Sequence, residues 1–195
     1  IFQLIQETGL PPGVVNLVNG GKDVVEAICA HPTIKGVSFV GSSNVAKIVY
    51  RRCGETGKRV QSLGGAKNFI VIMPDADMER AVQNAVESCY GCAGQRCLAG
   101  SVIVPVGDAY ERVRDMFVEY AKGLVMGDGR KPETTLGPVI SRPHRDKVLA
   151  YIEKGLAEGA TLTLDGRGAT VEGLPDGNWV GPTIFENVKP EMVIA

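Results

Sequence analysis

Histidine is almost missing from this chain. His31 and His144 are the only two, distant from each other and from the Cys89–Cys97 cluster. A Cys/His zinc site needs four ligands at short spacing. Cys89-x-x-Cys92, with Cys97 close behind, therefore lacks further ligands, and it also lacks the context of a thioredoxin-type dithiol. There is no basic block, and the net charge is only −1, so nothing resembles a nucleic-acid footprint. No apolar run reaches membrane-spanning length, and no signal-peptide pattern is present. Five cysteines, an odd number, argue against a secreted disulfide framework and for a reducing compartment. A starting methionine is missing too. The chain begins at Ile1 inside a helix-like stretch and ends on Met192-Val193-Ile194-Ala195, so both ends read as cuts in a longer protein.

What is present is an ordinary globular composition, 44% hydrophobic and 22% charged, with enough chain to bury a core. Its centre of interest is Gly91-Cys92-Ala93-Gly94-Gln95-Arg96-Cys97-Leu98-Ala99-Gly100. Small residues permit close approach of backbone and ligand, and a thiol there stays accessible. This setting makes Cys97 a candidate nucleophile, although a glycine-rich turn with ordinary buried cysteines has the same composition. Cys29, Cys53 and Cys89 fall on helical patterns and read as packing residues.

The patterns predict helices over 1–7, 22–30, 45–52 and 110–122, and another over 143–158. Strands are predicted over 14–18 (buried), 35–40, 58–63, 69–73, 102–106, 161–164 and 180–185. Their alternation in the first part implies βαβ crossovers and a parallel sheet. The strongest helical signal follows Pro74-Asp75-Ala76-Asp77, where Met78, Ala81, Val82, Ala85, Val86 and Cys89 share one face. Gly64-Gly65 marks a break in organisation, and no repeat or low-complexity tail is present.

Taken in order, Pro11-Pro12-Gly13-Val14-Val15-Asn16, Val37-Ser38-Phe39-Val40-Gly41-Ser42 and Leu63-Gly64-Gly65 resemble the NAD(P)-dependent aldehyde dehydrogenase superfamily. So do Pro74-Asp75-Ala76-Asp77, Gly94-Gln95-x-Cys97, Leu136-Gly137-Pro138 and Gly181-Pro182-Thr183. Lys58-Arg59-Val60-Gln61, Gly65-Ala66-Lys67-Asn68 and Gly94-Gln95-Arg96-Cys97 are most similar to its CoA-acylating branch, the methylmalonate-semialdehyde dehydrogenases. Tyr151-Ile152-Glu153-Lys154-Gly155 and Leu164-Asp165-Gly166-Arg167 point the same way. The resemblance implies an α/β fold, with residues 1–62 the C-terminal part of a Rossmann-type NAD-binding domain and 63–195 a truncated catalytic domain. It implies oxidation of methylmalonate or malonate semialdehyde with NAD and CoA, giving propanoyl-CoA or acetyl-CoA, CO2 and NADH. The 195-residue piece alone is expected to be inactive. A homo-oligomer, dimer or tetramer, in the cytoplasm or in a eukaryote's mitochondrial matrix is expected, without nucleic acid, membrane or metal.

By the same resemblance Cys97 matches the catalytic nucleophile, with its backbone N–H helping to hold the oxyanion, and Arg96 matches an arginine linked to carboxylate-bearing substrates. A guanidinium can take a carboxylate as a bidentate pair, and the alternative is a structural arginine. Gly41, Ser42 and Val45 match contacts to the NAD pyrophosphate, and Leu63 and Gly64 match the segment beside the nicotinamide. A plain capped helix start and a domain-crossing turn would look alike in sequence. Ser62 stands where hydrolytic members carry a glutamate base, which serine cannot replace at neutral pH without an activating partner. The rival readings are a hydrolytic aldehyde dehydrogenase, a cysteine acyltransferase or hydrolase without nicotinamide, and a non-catalytic module.

Overall fold

Alternating residues at 36–40 and 59–63, joined by an amphipathic stretch, fold as predicted for a crossover. β1 (Gly36–Val40) and β2 (Arg59–Leu63) pair in parallel, from Gly36 opposite Arg59 to Val40 opposite Leu63. The connecting helix α3 (Ser43–Glu55) runs one turn longer than its pattern at the C-terminal end and packs on both strands. Before them come α1 (Phe2–Glu7) and α2 (Lys22–Ala30). Cys29, Val49 and Cys53 form the buried centre, with Val25, Val37, Phe39 and Val60 packed around it. Cys29 and Cys53 are packing thiols, with the Cys53 Sγ 3.8 Å from the Cys29 Sγ. Burial foremost, together with the neighbouring Cys29, pushes the Cys53 thiol up. Lys58 is the one buried charged side chain, and its Nζ donates to the His31 carbonyl at 2.7 Å.

The structure is a computed structural model that describes all residues 1–195. Its chain divides into two compact units, Ile1–Gly65 and Ala66–Ala195, so Leu63 and Gly64 belong with the first. The buried strand predicted at 14–18 is absent. Val14, Val15, Leu17 and Val18 are 42–69% exposed and outside every sheet. Strand-like composition needs a ladder partner to become a strand, and the sheet of this unit has two members, β1 and β2.

In the second unit β3 (Asn68–Ile72) and β4 (Gly100–Pro105) form another parallel pair. α4 (Met78–Tyr90) starts at Asp77, whose side chain accepts the Arg80 N–H. This cap satisfies one orphan donor of the first turn. The face predicted from spacing is the buried one: Met78, Val82, Ala85 and Val86 pack with Ile72 and with Ala109, Val113 and Phe117 of α5 (Ala109–Lys122). Full burial of Val82 or Val113 contributes about 1.5–3 kcal/mol.

α6 (Arg142–Ala157) is capped by Ser141 and carries Pro143 in its first turn, where a missing N–H costs nothing. β5 (Thr161–Leu164) and β6 (Ile184–Glu186) are antiparallel. β6 is shorter than its predicted strand because Gly181 donates its N–H to Gly166 and Pro182 has none to give. No helix is long and apolar enough to cross a membrane.

Candidate active site

β1 and β2 end side by side. The Gly41 N–H donates to the Leu63 carbonyl at 3.1 Å, so Gly41-Ser42 and Leu63-Gly64 leave the sheet at the same, carboxyl, end. That end is where open α/β sheets bind ligands. Ser42 is the N-cap of α3, exposed, and its hydroxyl makes no capping bond. A side chain at Gly41 would start 2.5 Å from the Phe39 ring, and one at Gly64 would start 2.8 Å from the Ser43 Oγ. Glycine at 64 lets the exit from β2 pass over the start of α3, and glycine at 41 leaves room for the Phe39 ring at the exit of β1. Ser43, which the sequence pattern did not single out, accepts the Gly65 N–H at 3.0 Å and holds this corner. Val45 and Leu63 are 40% and 48% exposed. All five residues expected at a dinucleotide thus lie together, around a free hydroxyl and a helix N-terminus, a donor set that fits a phosphate.

Ser62, next to Leu63, is partly buried. Its Oγ donates to the Ala46 carbonyl at 2.7 Å, so the side chain is turned under α3. Strand alternation then presents the next residue, Leu63, to the open side. At this strand end the Leu63 side chain is the more exposed of the two. Neither residue is a carboxylate.

In the second unit the nucleophile loop begins with backbone strain. Cys92, Ala93 and Gly94 have φ values of 54°, 53° and 70° in succession. Only Gly94 adopts this region freely, and each of the other two costs about 1–2 kcal/mol. Gln95 then pins the loop twice: its amide nitrogen donates to the Cys92 carbonyl and its Oε1 accepts the Ile140 N–H, both at 3.1 Å. The Ala99 N–H closes a turn onto the Arg96 carbonyl at 3.0 Å, which puts Cys97 and Leu98 at the tip. Ser88 Oγ accepts the Gly100 N–H at 3.1 Å where β4 starts.

Cys97 is exposed, and its backbone N–H has no acceptor in the protein. It opens, with Asn84, Glu87, Ser88, Gln95, Arg96 and Leu98, onto a cleft of about 660 Å³. Asn84, Glu87 and Ser88 were not anticipated, yet a signal was available: they form an i, i+3, i+4 polar stripe opposite the core face of α4. Arg96 reaches back to the end of that helix, its Nη2 donating to the carbonyls of Glu87 at 2.7 Å and Ser88 at 3.1 Å. A cation at a helix C-terminus is favourable, so Arg96 has a structural role here. Cys89 is the contrasting thiol, half-buried under the core, where burial pushes its pKa up to about 11. No group of three or more His, Cys, Asp or Glu side chains is placed to share a metal ion.

The sequence matches the model of the aldehyde dehydrogenase family over residues 1–195. It is 51% identical over 195 residues to malonate-semialdehyde dehydrogenase 1 of Geobacillus kaustophilus, covering 100% of this chain and 40% of that protein. Among solved structures, methylmalonate-semialdehyde dehydrogenase of Oceanimonas doudoroffii superposes with a TM-score of 0.92 at 43% identity, over 98% of this chain and 40% of that one. Betaine aldehyde dehydrogenase of Staphylococcus aureus in complex with NAD+ gives a TM-score of 0.92 at 32% identity, over 99% and 38%. The chain spans about 40% of the length of the curated relatives it matches. Matched over its full length by the family's sequence pattern and folded as its solved members are, the chain belongs to the aldehyde dehydrogenase family.

Proposed function

We propose that this chain is the nucleophile-bearing part of a CoA-acylating semialdehyde dehydrogenase, with Cys97 as nucleophile. The observation that carries this reading is the Cys97 turn: an exposed thiol beside its own unpaired N–H, at the tip of a pinned loop facing an open cleft. The Cys97 thiolate adds to the aldehyde carbon, and the carbonyl oxygen, gaining charge, is met by the Cys97 N–H. NAD, when bound, supplies the acceptor for the hydride that leaves the same carbon. Gly41, Ser42, Val45, Leu63 and Gly64 are the residues that would hold it, and their donor set supports that assignment. The acyl group is then left on the Cys97 sulfur as a thioester. A carboxyl group β to the former aldehyde carbon departs as CO2, the α-carbon takes a proton from solvent in its place, and the CoA thiolate takes the acyl group and returns the Cys97 thiolate.

Arg96 is the group that would receive the substrate's carboxylate. Both Nη2 hydrogens already go to α4 carbonyls, so Nε and Nη1 remain available without rearrangement. A bidentate pair would need one Nη2 hydrogen released from the helix. Deacylation by CoA and not water follows from the absence of a carboxylate at 62 or 63. General-base assistance is worth about a hundred- to ten-thousand-fold, enough to decide between acceptors. We assign the first unit, Ile1–Gly65, to the NAD-binding domain and the second, Ala66–Ala195, to the catalytic domain, in a homo-oligomer. The test is NADH formation by the complete enzyme from malonate semialdehyde with and without CoA. Steady turnover should require CoA, and its omission should leave a burst followed by a slow phase. Equal steady rates, with free acid as product, would replace this reading with the hydrolytic one.

A further inference from the structure

One side chain bonds the backbone of Cys97 itself. Asn68, the half-buried first residue of β3, donates from Nδ2 to the Cys97 carbonyl at 2.8 Å and to the Ala99 carbonyl at 2.9 Å. Both amide hydrogens are thereby used. The sheet is irregular at this point: Asn68 pairs with Gly100 but Phe69 pairs with Val102, leaving Ser101 over. Such an irregularity takes backbone groups out of the ladder, and the Asn68 amide donates to two carbonyls just ahead of Gly100. Ser88, Gln95 and Arg96 hold neighbouring residues, whereas Cys97 has no other backbone hydrogen bond. Fixing its carbonyl, with the turn from Arg96 to Ala99 closed, sets the peptide plane after Cys97. With that plane and the turn both held, rotation of the Cys97 backbone that carries the thiol and the N–H is restricted.

We propose that Asn68 is the positioning residue of the nucleophile turn, holding the carbonyls on both sides of Leu98 so that the Cys97 thiol and N–H converge on one point. This rests on Cys97 being the nucleophile. The experiment uses the complete enzyme carrying Asn68→Ala or Asn68→Asp. It reads the NADH burst rate, the KM for NAD, the melting temperature and the iodoacetamide labelling of each cysteine.

Misplacement of a reacting group by about 1 Å can cost about a hundredfold. Asn68→Ala should therefore slow the burst by about 10- to 100-fold. The KM for NAD should stay within about twofold and Cys97 labelling within about threefold, because alkylating an accessible thiol needs no oxyanion donor. Asn68→Asp cannot donate when ionised, and the two carbonyls facing its carboxyl favour the protonated form. Its burst rate relative to the parent should therefore rise as pH falls from about 8 to about 5.5.

An Asn68→Ala burst within about threefold of the parent would overturn the proposal. So would a loss that travels with weaker NAD binding, a lower melting temperature and labelling of buried Cys29 or Cys53, the signature of general loosening. If Asn68→Ala does not fold, a flat pH ratio for Asn68→Asp overturns it equally. Activity lost through labelling of Cys92 instead of Cys97 would remove the nucleophile assignment itself, an outcome separate from these.

Discussion

Arg96 is the residue whose removal separates two roles most cleanly. Its Nη2 caps the last turn of α4 at 2.7 and 3.1 Å from two carbonyls, and it borders the cleft that holds Cys97. A hydrogen bond between a guanidinium and a substrate carboxylate is worth about 1.5–3 kcal/mol, which is about 10- to 150-fold in kcat/KM. Drawing one Nη2 hydrogen off an exposed carbonyl to complete a bidentate pair costs about 0.5–1 kcal/mol of that. Arg96→Ala in the complete enzyme should thus lower kcat/KM for malonate semialdehyde by about 2- to 70-fold. For propanal, which has no carboxylate, the loss should stay below about threefold.

Gly91→Ala supplies the control. A methyl group there would start 2.3 Å from the Nη2 and push the guanidinium off the helix end while keeping its charge. Gly91 has φ −54°, so alanine is tolerated by the backbone. This variant should melt lower than the parent but keep its preference for the carboxylate-bearing aldehyde. The assay is initial-rate NADH absorbance at saturating NAD and CoA, beside a thermal melt. Equal losses for both aldehydes, in step with a lowered melting temperature, would show that Arg96 only closes the helix.

Three further outcomes follow from the same geometry. With Cys89 pushed up to about 11 by burial, iodoacetamide at neutral to mildly alkaline pH should modify Cys97 and spare Cys89; burying the neutral thiol stabilises the fold fully below about pH 9, and that contribution is lost as pH rises through about 11, which a pH series of melts with a Cys89→Ala control would read. Ser62→Glu should lower the melting temperature, because a carboxylate at 62 would meet the Ala46 carbonyl to which the serine hydroxyl now donates; a thermal melt decides, and an unchanged melting temperature would refute that packing. Ala93→Gly should raise stability by up to about 1 kcal/mol by relieving a positive φ, and Gly94→Ala should lower it by about 1–2 kcal/mol, its Cβ starting 3.1 Å from the Cys89 carbonyl; denaturant midpoints that moved the other way would refute the strain argument.

Local pattern alone determined much of this chain. α2 and α4 and the β1–α3–β2 crossover are legible because side-chain periodicity and caps lie within a few residues of each other, and so is the small-residue loop bearing Cys97. Tertiary structure decided what depends on a partner elsewhere. Val14–Val18 has the composition of a strand but no neighbour to pair with, so its apolar side chains stay exposed. Ser62 and Leu63 are interchangeable in a motif, and only the packing of α3 on β2 shows which one is turned under the helix. Arg96 reads as a free guanidinium until the end of α4 is seen to accept from it. Asn68 lies 29 residues before Cys97, and no periodicity links them. Their contact exists because two parallel strands bring both to the same point, a long-range pairing that hydrogen bonds select and sequence spacing does not encode.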